Sequence, residues 1–241
     1  MIYATSDLHG TSLEDFKKLL NKAGFGKNVD DFLFILGDVV DRQNDGGIEI
    51  LKWLLEQPNA QIILGNHEAA LLSCDFVFEE ITNESINNFT QEKMQLLNNY
   101  IQNGGDVTLK ALRSLMQTEP DTVCDILDYL RDAPLYETVS IGDGKDFSQD
   151  FLLVHSGLEN FSPNKDIKDY APDELLWARP DIKQEYFHDL KTVFGHTPTV
   201  YYGGEYKGKI LRTKTWVDID TSDTTPTVLC LDTMQEFRLE D

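Results

Sequence analysis

Five short segments of this chain carry the residue types that bind divalent cations. They are Asp7-Leu8-His9-Gly10, Gly37-Asp38-Val39-Val40-Asp41-Arg42, Gly65-Asn66-His67-Glu68, His155-Ser156-Gly157 and Gly195-His196-Thr197. Carboxylate oxygen and neutral imidazole nitrogen suit Mn, Fe and Zn. Alternating side chains in a strand-end loop let Asp7 and His9 grip one ion. Each segment alone is commonplace: His9 or His155 as a hydrogen-bonded histidine, Asp38 as a helix N-cap, Arg42 as a surface ion pair. Together they use four of only five histidines, and chance does not readily place them so. His188 stays apart, in a stretch, Tyr186 to Leu190, expected to be helix surface.

Each segment follows a short apolar run. The runs are Ile2 to Ala4, Phe32 to Leu36, Ile62 to Leu64, Phe151 to Val154 and Thr192 to Phe194. Each has the length of a buried strand. Helical patterns around Leu13 to Leu20 and Ile48 to Leu55 separate the early ones, which predicts an α/β architecture. Ligands in such folds bind outside the carboxyl ends of strands, so five runs would deliver Asp, Asn and His to one rim. From about residue 69 to 133 the pattern turns helical, interrupted at Asn103-Gly104-Gly105 and Thr118 to Asp121. No flexible linker flanks this stretch, so it is read as a helical insert in a single domain spanning 1–241. Asp121 is expected to cap the helix after it. Ile210 to Arg212, Trp216 to Ile219 and Thr227 to Leu231 read as strands continuing a second sheet.

Acidic residues outnumber basic ones by 42 to 21, a net charge of -21. Such a surface repels nucleic acids and anionic membranes, so neither is expected as a partner. Part of the acid is local, since metal-binding carboxylates count as excess until the metal is counted. Cys74, Cys124 and Cys230 lack ligand spacing and read as buried, reduced thiols. The N-terminus lacks the charge and apolar run of a signal peptide, and no run approaches a membrane span. A soluble, cytoplasmic protein is expected.

The first three segments resemble, in order and spacing, the signature blocks of the phosphoprotein phosphatase family within the calcineurin-like metallophosphoesterases. His155 and His196 resemble that family's later metal histidines, so the likeness runs from residue 7 to about 200. Within the family the chain is most similar to small bacterial and phage serine/threonine protein phosphatases and to symmetrical diadenosine tetraphosphate hydrolases. Asn103-Gly104-Gly105 with Thr108 is similar to a segment of those bacterial members. The resemblance implies a β-sandwich of two mixed sheets flanked by helices, holding two divalent metal ions, Mn first, with Fe or Zn as alternatives. It implies that Asp7 and His9 hold the first metal, that Asp38 bridges both, and that Asn66, His155 and His196 hold the second. It makes His67 the acid that protonates the leaving oxygen, with Asp41 orienting it, and Arg42 a phosphate clamp. Leu176-Trp177-Ala178-Arg179 resembles the segment that supplies a second clamp, Arg179. Two positions depart from the pattern: Gln43 and Ser222 stand where the family has glycine.

These roles add up to hydrolysis of a phosphoester by a water activated between two cations. The Cys-x5-Arg arrangement of thiol phosphatases is missing. Phosphoserine or phosphothreonine on proteins is the leading substrate, with other small phosphoesters possible in principle. Dinucleoside tetraphosphates come next, although no nucleotide-binding loop is recognisable. A non-catalytic scaffold would be expected to lose a ligand or the acid, and none is missing. Residue types leave the oligomeric state open.

Overall fold

A computed structural model describes residues 1–142 and 148–239. Among the described residues ten strands form two five-stranded sheets. In the first, β1 (Ile2–Thr5), β2 (Phe32–Ile35) and β3 (Ala60–Ile62) run parallel. In the second, β4 (Tyr136–Gly142) pairs antiparallel with β5 (Ser148–Val154), which is parallel to β6 (Leu190–Phe194). There β7 (Leu211–Arg212) pairs antiparallel with β8 (Trp216–Asp218), and β8 lies parallel to β6. Finally, β9 (Val228–Cys230) and β10 (Gln235–Phe237) return to the first sheet, β9 antiparallel to β1. The expectation that all C-terminal strands continue the second sheet is therefore corrected. The Thr221 to Pro226 turn carries the chain from one sheet to the other.

The period-2 alternation of the strands sorts their side chains into layers. Ala4 and Phe34 from the first sheet meet Phe151, Leu153, Val193 and Val217 from the second, so this core lies between the sheets. The intervening residues face outward. Tyr3, Leu33 and Ile35 pack with helices, whereas Leu152, Phe194 and Trp216 pack under loops that carry Tyr170 and Tyr186. Both faces of each central strand are covered, and that is why these strands read as unbroken apolar runs. The two mixed sheets flanked by helices are the architecture that the resemblance implies.

Helix α1 (Leu13–Ala23) starts at Ser12, whose hydroxyl accepts from Asp15 N, and ends at left-handed Gly24. With α2 (Ile48–Leu55) it covers the outer face of the first sheet. The predicted insert comprises α3 (Asn66–Leu72), α4 (Asn83–Asn87), α5 (Gln91–Tyr100), α6 (Asp106–Met116) and α7 (Pro120–Arg131). Leu109, Leu112, Val123, Ile126 and Leu130 join the core of the first sheet, so these helices extend its outer layer. A π turn over Ile101–Gly105 joins α5 to α6, with Gly104 left-handed. A short α8 (Pro172–Leu176) lies on the other side of the molecule's second sheet.

Three local expectations need correction. Glu119 takes the N-cap position of α7 without a side-chain capping bond and Pro120 the first helical position, so Asp121 lies inside the first turn. Tyr186 to Asp189 is irregular, not helical, with His188 exposed beside Glu185. Cys124 is exposed, whereas Cys74 and Cys230 are buried. Among the described residues no helix is long and apolar enough to cross a membrane.

Candidate metal centre

The ends of β1, β2, β3, β5 and β6 converge, and they bring the five segments together. Convergence needs backbones that touch. Gly65 lies so close to the loop after β2 that a Cβ there would collide with Asp38 and Glu68. Left-handed Gly37 (φ 83°) presses in turn on Gly65 and on the His155 ring. The loops are also strained: Asp7, His9, Asp38, Asp41, Arg42 and His196 all have positive φ. Such geometry costs on the order of 1–3 kcal/mol per residue and persists only where the surroundings enforce it. Six of the ten predicted site residues carry this strain, so it is concentrated where side chains must be aimed.

Hydrogen bonds to backbone carbonyls fix which nitrogen of His155 and His9 faces inward. His155 Nδ1 lies 2.7 Å from Leu36 O, which can only accept, so Nδ1 carries the proton. The Nε2 lone pair then faces Asn66 Oδ1 at 2.8 Å and Asp38 Oδ1 at 3.5 Å. His9 Nδ1 likewise donates to Val40 O at 3.2 Å, which turns Nε2 toward Asp7 Oδ1 (3.7 Å) and Asp38 Oδ2 (3.8 Å). His196 Nδ1 lies 2.8 Å from the same Asn66 oxygen, while its buried Nε2 has no partner. Ser6 Oγ and His196 N both donate to Asp7 Oδ2, leaving Oδ1 free to face the site.

Acceptors therefore converge on acceptors, around both oxygens of Asp38. Two overlapping groups, His9/Asp38/His67 and Asp38/His155/His196, each place their ligand atoms within 4.8 Å of one another. Buried lone pairs that face each other repel unless a cation lies among them. The donor set thus fits two divalent ions sharing Asp38. Burial, aided by neighbouring positive groups, pushes His9 down to about 3 and His196 down to about 2, against the pull of Asp38. Both rings are neutral at pH 7, as ligation requires. Burial and the Asp38 charge push Asp7 up to about 7, a penalty that an entering cation would remove.

His67 is wired differently. Its Nδ1 lies 2.6 Å from Asp41 Oδ2, and its Nε2 lies 3.3 Å from the Arg42 guanidinium, a donor-only cation that opposes a proton on that nitrogen. Burial alone would lower its pKa, but Asp38 and the Asp41 hydrogen bond outweigh it and lift the ring to about 9. Unlike His9 and His196, this histidine is held ready to carry a second proton. Asp41 is itself held from the helical insert. Tyr100 Oη and Thr108 Oγ1 each donate to Asp41 Oδ1 at 2.6 Å. Arg42 N donates to Gly104 O at 3.0 Å, so the π turn also supports the loop.

Arg42 and Arg179 are both exposed at the rim, and Arg179 Nη1 donates to Thr197 Oγ1 at 3.2 Å. Two clefts open from Arg42, Arg179 and His196. One, about 500 Å³, runs past His67 toward Trp177 and the insert. The other, about 450 Å³, runs along Pro180, Thr197 and Tyr201. Six of the ten predicted site residues, Asp38, Arg42, Asn66, His67, Arg179 and His196, line these clefts; Asp7 and His9 line a third that also reaches Arg42, and Asp41 and His155 are buried. The two departures are accommodated, because neither Gln43 nor Ser222 has positive φ and a side chain costs nothing there.

Sequence reasoning missed the residues that hold the ligands in place. The Glu68 carboxylate accepts from Asp38 N (2.8 Å), Val39 N (2.8 Å), Val40 N (3.1 Å) and Gly65 N (3.1 Å). Burial and Asp38 push its pKa up to about 7, and the backbone donors pull it back. Four donors occupy four lone-pair positions, so the geometry holds the ionised form. Its place three residues after Gly65 was the available signal, being a capping-box position. Tyr100 and Ser6 gave no signal, since their roles depend on tertiary contacts.

Residues 1–220 match the family model for the calcineurin-like phosphoesterases. The symmetrical bis(5'-nucleosyl)-tetraphosphatase of Buchnera aphidicola (subsp. Acyrthosiphon pisum, strain Tuc7) is 40% identical over 72 residues, 30% of this chain and 25% of that protein. The enzyme of the same name from Acidovorax sp. (strain JS42) is 22% identical over 205 residues, 83% of this chain and 58% of that protein. The chain thus spans between a quarter and rather more than half of these relatives' length. A solved protein provisionally described as a diadenosine tetraphosphatase superposes with TM-score 0.58 at 16% identity, over 98% of this chain and 90% of that one. A serine/threonine phosphatase from Saccharomyces cerevisiae superposes with TM-score 0.51 at 16% identity, over 91% of this chain and 66% of that one.

Two outcomes follow from the hydrogen bonds. Glu68→Gln replaces an acceptor with a donor that faces backbone N–H groups, and should destabilise the protein by about 3 kcal/mol. Urea unfolding measures this, and an unchanged midpoint would remove Glu68 from its bracing role. In metal-free protein, the His67 ring should titrate near pH 9, above its ordinary 6.5, and Asp41→Asn should lower that midpoint. The stabilisation linked to His67 is then complete below about pH 6.5 and lost as pH rises through about 9. NMR of the imidazole reports both effects, and an equal midpoint in the variant contradicts the pairing.

Proposed function

We propose, on the premise that the chain belongs to the calcineurin-like phosphoesterase family, that it hydrolyses dinucleoside tetraphosphates symmetrically at a binuclear metal centre. It is a hydrolytic metallophosphoesterase. The sequence puts phosphoprotein substrates first, and two observations reverse that order. The curated relatives carry the tetraphosphatase name. More directly, two clefts leave the same Arg42, Arg179 and His196 along different elements, which suits a ligand with phosphates in the middle and a bulky group at either end. That shared origin is the observation that carries the proposal.

Asp7 and His9 would hold one ion, Asn66, His155 and His196 the other, and Asp38 both. Bound there, the ions would supply Lewis acidity and a water of lowered pKa at neutral pH. The protein's own groups do the rest. Arg42 and Arg179 present paired N–H donors to phosphate oxygens and offset charge that builds up during displacement. His67 gives its proton to the departing phosphate oxygen and so offsets the charge that oxygen gains as the bond breaks. Asp41 keeps the imidazole protonated and aimed. Tyr100, whose pKa burial and Asp41 raise far above the ordinary value, stays a donor and keeps Asp41 in place. Apart from the two exposed arginines these groups are buried, so little reorganisation of them accompanies the reaction.

A net charge of -21 favours a second reading, in which the same centre removes phosphate from a peptide with basic flanks. One experiment separates the two. Metal-stripped protein is reloaded with manganese, iron or zinc and assayed on diadenosine tetraphosphate and on a phosphoserine peptide. The expected result is ADP as sole nucleotide product and the higher kcat/KM. ATP with AMP as products, or faster turnover of the peptide, overturns the proposal. His67→Asn should retain metal and lose roughly 10²–10⁴ in kcat, the usual worth of a general acid. Undiminished turnover would exclude His67 from proton transfer.

A further inference from the structure

A folded protein hides its aromatic rings unless they serve a surface purpose. Among the described residues only three aromatic side chains are exposed: Phe89, Trp177 (53%) and Tyr201 (77%). Phe89 lies out on the helical insert. The other two border the clefts, Trp177 the first and Tyr201 the second. Each cleft therefore holds one exposed ring, and the arginine pair lies between them.

Both rings stand on fixed supports. Trp177 follows α8, where its N–H donates to Asp173 O at 3.2 Å, and it contacts the His196 ring at 5.8 Å, nearly perpendicular. Tyr201 lies in the 3-10 turn Thr199–Tyr202. That turn is pinned by Thr199 N to Asp220 O (3.0 Å) and by Thr199 Oγ1 to Tyr206 O (3.0 Å). A ring on a pinned turn can stack without a large loss of entropy.

We propose that Trp177 and Tyr201 are the two base platforms of this site, each stacking one nucleobase of a dinucleoside tetraphosphate. The inference rests on the reading given under Proposed function and adds direction to it. His67 borders the first cleft and not the second. The leaving half therefore occupies the Trp177 cleft and the attacked half the Tyr201 cleft. Water adds to one of the two central phosphorus atoms. The bond from that phosphorus to the bridging oxygen breaks. The oxygen leaves with the other phosphorus and takes the proton from His67, and the proton lost by the water makes good the one His67 gave. One water and one dinucleoside tetraphosphate give two nucleoside diphosphates.

Stacking of a base on an aromatic ring is worth about tenfold to hundredfold in affinity, and another ring can substitute for the first. The test uses full-length, metal-reloaded protein and the ratio of kcat/KM on diadenosine tetraphosphate to kcat/KM on p-nitrophenyl phosphate. Damage to the metal centre reduces both activities, so the ratio isolates the nucleoside contacts. Trp177→Ala and Tyr201→Ala should each lower the ratio about tenfold or more, with the loss chiefly in KM. Trp177→Phe and Tyr201→Phe should restore most of it, and Phe89→Ala should leave it unchanged. Adenine on Trp177 should also quench tryptophan fluorescence when diadenosine tetraphosphate is added, and inorganic tripolyphosphate should not. Ratios within twofold of wild type in both alanine variants, with the wild type cleaving the dinucleotide, overturn the platforms and leave the proposed function standing. A wild type that turns over p-nitrophenyl phosphate but not the dinucleotide removes both.

Discussion

The buried carboxylate of Glu68 accepts four backbone N–H groups, three from the loop after β2 and one from Gly65. A fully buried charge is tolerated only when its acceptor positions are filled. The loop after β2 must therefore wrap around Glu68, and that path forces Asp38 into left-handed geometry (φ 56°). The strain is offset by the hydrogen bonds that impose it. With its backbone so fixed, Asp38 directs one oxygen toward His9 and the other toward His155. Glu68 touches no substrate in this arrangement, yet the binuclear geometry depends on it.

The helical insert braces the other half of the site. Asp41 holds His67 with one oxygen and spends the other on Tyr100 and Thr108, which come from α5 and α6. Gly104 O receives Arg42 N from the same loop. His67 and Arg42, the proposed acid and phosphate clamp, are thus positioned by an element that lies outside the strand-end segments. The insert also forms a wall of the cleft past His67. An element that both shapes substrate space and fixes the acid couples specificity to catalysis, because a shift of α5 or α6 moves both together.

How much of this was legible in the sequence differs by element. Strands β1, β2, β5 and β6 were visible because both of their faces are buried, which gives continuous apolar runs ending at Asp or His. β3 was placed two residues late, since Ile63 and Leu64 are apolar but follow the strand. β4 escaped notice because its alternating exposure looks like a loop, and β10 because it is a short edge strand. The separation of β9 from β8 is a matter of topology, for residue types do not say which sheet a strand joins. At the site, the residues whose chemistry is unusual, His and Asp at strand ends, were all legible. Glu68, Tyr100 and Ser6 were not, since a brace is defined by what it touches.

Charge poses the remaining question, because a chain of net charge -21 is proposed to take a substrate with four phosphates. Screening limits the repulsion from distant carboxylates to about 8–10 Å at ordinary ionic strength. Within that radius the balance is local. Asp7, Asp38 and Asp41 are directed into hydrogen bonds or toward metal positions, and both arginines face the clefts. An anion at the rim meets the guanidinium groups of Arg42 and Arg179, with Asp173 as the one exposed carboxylate beside them on the wall of the first cleft. The acidic remainder then acts at long range, slowing the approach of nucleic acids and other large polyanions, while a small one that reaches the rim is held by contacts. On the proposed reading, substrate choice is a contrast between field and pocket: the field would select against extended polyanions, and the paired clefts would select what the phosphates carry at their two ends.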